Sequence, residues 1–84
     1  SLKDFTLYSP IHGDVKGVLV VSVDDDTNAW RSDLRPGDVI TSVNQQKITS
    51  IAELKKIAAE SKDQLLLNVL RGPGAVFLIV SKDL

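Results

Sequence analysis

Apolar residues along this chain fall into short runs separated by turn formers and charge. Phe5-Thr6-Leu7-Tyr8 alternates and is rich in strand formers. Gly17-Val18-Leu19-Val20-Val21-Ser22-Val23 is almost continuously apolar, which predicts a strand buried on both faces. Val39 to Val43 predicts another, and Asn44-Gln45-Gln46 turns out of it. Gln64 to Arg71 and Ala75 to Val80 predict two strands joined as a hairpin through Gly72-Pro73-Gly74.

Between these runs the period changes. Ile51, Leu54, Ile57 and Ala58 recur at helical spacing, with Lys55, Lys56 and Glu60 among them. Ser50 followed by Glu53 is a capping box, so the helix starts there, and Ser61-Lys62-Asp63 ends it. Thr27 or Asn28 can cap a shorter helix reaching Arg31 or Ser32. Pro10 and Gly13 set a loop from Ser9 to Asp14. In Asp33-Leu34-Arg35-Pro36-Gly37-Asp38-Val39-Ile40, Pro36 and Gly37 suit the two central positions of a tight turn, and Asp38 can bond nearby backbone. Two helices cannot cover both faces of such a sheet. The expected fold is α+β: a small, strongly curved, mostly antiparallel sheet or partial barrel capped by two helices.

Eighty-four residues, 43% of them apolar, make one domain spanning 1–84 with a small core. The absence of cysteine removes disulfides and cysteine-based zinc sites. A net charge of −1 with interspersed signs gives no basic stripe for nucleic acid and no polybasic segment for a membrane surface. No apolar run is long enough to span a bilayer, and no signal-peptide pattern is expected within these residues. The abrupt start at Ser1-Leu2-Lys3 leads us to expect a domain cut from a longer protein.

Catalytic patterns are missing. The single histidine, His12, sits in the Pro/Gly loop without a partner and reads as a surface residue, and no Gly-x-Ser-x-Gly elbow occurs. Gly72-Pro73-Gly74 lacks the following helix that would aim amides at a phosphate. Asp24-Asp25-Asp26-Thr27-Asn28 opens like a calcium loop. However, Ala29 stands where such a loop turns on Gly, and Arg35 where it needs a bidentate Glu. It reads as a solvated turn. The expectation is therefore no catalytic residue, no metal and no cofactor in this segment.

The order of these motifs resembles the PDZ domains of bacterial HtrA/Deg-type serine proteases, closest to the second, C-terminal one. The resemblance covers Phe5 to Val80. Gly17-Val18-Leu19-Val20 is similar to the family's Gly-Val-Val-Val strand, and Ser32 to Ile40 to its Ala-Gly-Leu-Lys-Pro-Gly-Asp-Val-Ile. Asn44-Gln45 stands for Asn-Gly, Ser50 to Leu54 for x-x-Ala-x-Leu, and Leu67-Asn68-Val69-Leu70-Arg71-Gly72 for the closing Leu-x-Val-x-Arg-Gly.

This resemblance implies a non-catalytic module that pairs an extended or C-terminal peptide with a free strand edge. The parent's catalytic triad would lie elsewhere, and its location would be the periplasm or cell envelope. The implied groove strand is Leu2, Lys3, Asp4, Phe5, Thr6 and Leu7, and the implied wall is Ile51, Lys55 and Ala58, with Leu54 and Ile57 facing the core. Partners would be peptide or unfolded segments and other domains of the parent, with no nucleic acid and no membrane insertion. The rival is a packing module whose groove is closed by a neighbouring domain; another is a PDZ domain of a different envelope protein, such as a site-2 protease or secretion component. Three departures stand out. Only Ser1-Leu2 precedes the groove strand, so the carboxylate-binding loop is cut off or altered. Trp30 replaces a small alanine and is expected to plug the core. Asp33 replaces a helix-end glycine.

Overall fold

The computed structural model describes residues 2–7, 15–72 and 74–81. The elements run β1 (Leu2–Leu7), β2 (Val15–Val20), α1 (Asn28–Arg31), β3 (Val39–Val43), β4 (Gln46–Lys47), α2 (Ile51–Glu60), β5 (Gln64–Arg71) and β6 (Gly74–Ser81). The strands form one antiparallel sheet in the order β1-β2-β3-β5-β6, with the two-residue β4 paired to β3. The sheet does not close, so β1 and β6 are its edges. The expected α+β architecture is the one observed. Tyr8, the loop with His12, and Pro73 lie outside the described residues.

The core lies between the sheet's inner face and α2. Val18, Val20, Ile40, Val43, Ile48, Leu67, Val69 and Leu78 meet Leu54 and Ile57 there. Burial in β2 alternates, contrary to the expectation of burial on both faces. Val18 and Val20 are buried, Leu19 is half-buried, and Val21 beyond the strand is 48% exposed. The strand itself ends at Val20. On β6, Phe77 and Ile79 point outward and are 66% and 58% exposed.

One close approach fixes the β2–β3 spacing. A Cβ on Gly17 would sit 2.4 Å from the Ile40 carbonyl oxygen, so only glycine fits there. The Pro36-Gly37 turn forms as expected, with Gly37 at φ 94°. Its ends are laced to β2: the Gly37 N–H donates to the Val20 carbonyl and the Val20 N–H to the Asp38 carbonyl, both at 2.8 Å. Asp38 is 2% exposed. Its carboxylate accepts from the Arg35 N–H at 3.0 Å and from Arg71 Nε and Nη2 at 2.9 and 2.7 Å. Burial opposes its ionisation. The Arg71 hydrogen bonds, the Arg35 amide and both arginine charges outweigh that and hold the carboxyl below the usual range.

Thr27 caps α1, accepting from the Trp30 N–H. Trp30 does not plug the core. It is half-buried beneath the Arg35 guanidinium, 3.6 Å from the ring centroid, because this four-residue helix buries no side chain fully. Asp33 takes the left-handed conformation at φ 75°, and its carboxylate pairs with Arg71 at 3.0 Å and Arg35 at 3.5 Å. Asn44 and Gln45 are also left-handed and make the tight β3–β4 turn. Asn44 ties three elements together. It donates to Ser61 at the end of α2, and exchanges hydrogen bonds with the Leu66 backbone on β5.

Candidate functional site

The wall of the site is α2. Ser50 Oγ accepts from the Glu53 N–H at 3.3 Å, as the capping box requires. The Glu53 carboxylate reaches one residue further back than that motif, to the Thr49 N–H at 2.9 Å and the Thr49 hydroxyl. These two bonds lower its pKa. Leu54 and Ile57 are buried. Ile51 and Ala58 are half-buried, and Lys55 is exposed.

The other wall is β1. It runs antiparallel to β2 in unbroken register from Leu2↔Val20 to Leu7↔Val15, and among the described residues it pairs with no other strand. Among the described residues no strand occupies its second edge. Lys3, Asp4 and Thr6 are exposed and Phe5 is half-buried; for Leu2 and Leu7 the backbone alone is described. One side chain links the walls: Asp4 Oδ1 accepts from the Ile51 N–H, the first amide of α2, at 2.7 Å.

A cavity of about 430 Å³ opens beside α2, between it and the ends of β2, β5 and β6. Its lining is mostly apolar and includes Val20, the partner of Leu2, with Leu34, Leu67 and Val80. Lys55 and Ala58 stand on its α2 side. The structure thus brings Lys55 and Ala58 to the cavity and places Ile51 beside Asp4, one turn away. Sequence reasoning missed the strand contribution of Val20, Leu67 and Val80. Their inward apolar pattern is that of any core position, so no signal set them apart. Among the described residues no group of three His, Cys, Asp or Glu side chains is placed to hold a metal, and no helix is long and apolar enough to cross a membrane.

Comparison with known families decides the assignment. The PDZ domain family model matches residues 19–71. This chain belongs to the PDZ domain family. The solved PDZ domain of HtrA3, bound to the phage-derived ligand FGRWV, superposes with a TM-score of 0.74 at 23% identity, covering 96% of this chain and 86% of that one. At that identity the match speaks for the fold. Sequence likeness is higher to periplasmic serine endoprotease DegP. The PDZ domain is 41% identical to the Salmonella typhimurium protein and 38% to that of Escherichia coli K12, each over 81% of this chain. It spans 14% of the length of those relatives.

Proposed function

We propose that this PDZ domain binds extended peptide segments, C-termini among them, by adding a strand to the free edge of β1. The observation that carries the reading is that β1 pairs only with β2 among the described residues, while an apolar cavity beside α2 is lined by Val20, the register partner of Leu2. Backbone bonds to β1 supply the pairing, and one apolar ligand side chain fills the cavity. Leu2 to Leu7 form the pairing strand, and Ile51, Lys55 and Ala58 the helical wall. The likeness to periplasmic DegP endoproteases supports a role in presenting substrate segments to a serine endopeptidase in the periplasm or cell envelope, or in its assembly. In this reading peptide hydrolysis belongs to residues outside this chain, whose sequence has no Gly-x-Ser-x-Gly elbow and a single histidine in a Pro/Gly loop.

The expected affinity is modest. A few backbone hydrogen bonds contribute about 0.5–1.5 kcal/mol each and the buried side chain about 1.5–3 kcal/mol. Ordering the peptide offsets much of this, which leaves a Kd of about 10 µM to 1 mM. NMR titration with apolar-ended peptides tests the reading. Shifts on β1, on residues 51–58 and at the cavity lining are expected. Their absence would assign the domain to packing against a neighbour instead.

A further inference from the structure

The two edges of the sheet differ in chemistry. On β1, Lys3 and Asp4 are exposed. A quarter of the chain is charged, yet Gly74 to Ser81 of β6 holds no charge. The pairing of β6 with β5 runs without a bulge from Gln64↔Ser81 to Arg71↔Gly74. Charge, proline and bulges are the means by which an edge strand turns a neighbour away, and β6 has none of them. Its side chains alternate. Leu78 is buried and Val76 and Val80 pack against the core, while Ala75, Phe77 and Ile79 are exposed. Asn28 of α1 donates to the Ser81 carbonyl at 3.2 Å, so α1 takes up that end of the strand. The stretch left for pairing is 74–80, and its midpoint is Phe77.

We propose that two copies of this chain pair antiparallel through β6, about a two-fold axis at Phe77. In an isologous contact the same surface must match itself. In this register Phe77 faces the partner's Phe77, Ala75 the partner's Ile79 and Val76 the partner's Leu78. On the exposed face a small side chain meets a large one on either side of an aromatic pair, and both strands are neutral, so no like charges oppose. These matches commit the edge to a second copy. A one-residue shift would draw Ser81, already held by Asn28, into the ladder. The dimer leaves β1 untouched and does not depend on strand addition there. Residues 74–80 are far fewer than the roughly 20–30 residues a side of a stable interface, so the pairing is weak, with a Kd of about 0.1–1 mM.

Sedimentation of the chain from about 20 µM to about 2 mM tests the pairing. The mean mass should rise toward that of two chains and stop there, because a closed dimer uses up both β6 edges. Phe77→Lys should remain monomeric throughout while its melting temperature holds, since Phe77 is exposed. The register is read with cysteine, which the sequence lacks. Phe77→Cys sets two thiols directly opposite, with Cβ atoms about 4.5–5.5 Å apart, and mild oxidation should give a covalent dimer. Ala75→Cys sets its thiol four residues along from the partner's, about 14 Å away, and should cross-link about tenfold more slowly. A mass that stays at one chain, a mass that grows past two, or equal cross-linking through both positions overturns the proposal.

Discussion

Arg71 holds both carboxylate oxygens of Asp38 in its planar fork, across 33 residues of sequence. Its third nitrogen and a shared Nη2 reach the side chain and carbonyl of Asp33. One cation at the end of β5 thus fixes the turn that launches β3. The pairing raises the Arg71 pKa further above its already high value.

Removing the Asp38 carboxylate should be costly. Asp38→Ala leaves the Arg35 amide and the Arg71 fork without their buried acceptor, and about 1–3 kcal/mol of stability should be lost. Asp33→Asn keeps a residue tolerant of left-handed geometry and loses an exposed charge, so its effect should stay within about 1 kcal/mol. Chemical denaturation of both variants checks the ranking; equal costs would show that the buried carboxylate carries no special weight.

Acid should weaken the domain in a defined window. Asp38 and Glu53 have lowered pKa values in the folded chain. Their stabilising contribution is complete above the ordinary carboxylate value of about 4 and disappears as pH falls through the lower folded values. Denaturation midpoints should be level near neutrality and fall below about pH 4. Asp38→Asn should flatten part of that decline. A wild-type profile level down to pH 2 contradicts the assignment.

Ser50→Ala removes the acceptor of the Glu53 amide and should cost about 1 kcal/mol. A midpoint unchanged within error would place the start of α2 elsewhere.

Gly17→Ala would drive a methyl group into backbone, because the contact is the Ile40 carbonyl and not a movable side chain. β2 and β3 must part, and a loss of about 1–3 kcal/mol is expected. A thermal melt matching wild type would mean that the strands separate without cost.

Lys55 tests the cavity end of the groove. Its exposed ammonium should favour ligands with an acidic group near the anchored residue. Exposed pairs contribute at most about 1 kcal/mol, so Lys55→Glu should shift such affinities a few-fold, less at high salt, without harming the fold. If the substitution unfolds the chain, Lys55 is packed; if preference is unmoved, it lies off the ligand path.

Local signals were legible before the structure. Pro36-Gly37, the Ser50/Glu53 cap and the 51–58 periodicity each act within a few residues, so spacing alone reveals them. What escaped acts across distance or at the scale of single contacts. Nothing near Asp38 names Arg71 as its partner. Gln46–Lys47 is too short to leave a strand pattern. Trp30 looked like core because it is large and apolar, but four helical residues offer no interior to fill, and Arg35 covers it from outside. The groove showed the same split. Its helix was legible as a periodic face. The cavity, made by residues from distant strands, and the Asp4–Ile51 link were not.

The β6 edge carries a cost of another kind. Gly74 to Ser81 holds no charge, and Phe77 and Ile79 protrude from it. Among the described residues it pairs with β5 alone, and Asn28 of α1 donates to the Ser81 carbonyl at its end. Such an edge is a template for neighbouring molecules in crowded solution. Solubility, and not folding free energy, is what this strand limits: a lysine in place of Phe77 would leave the interior untouched while raising the concentration at which the chains begin to clump.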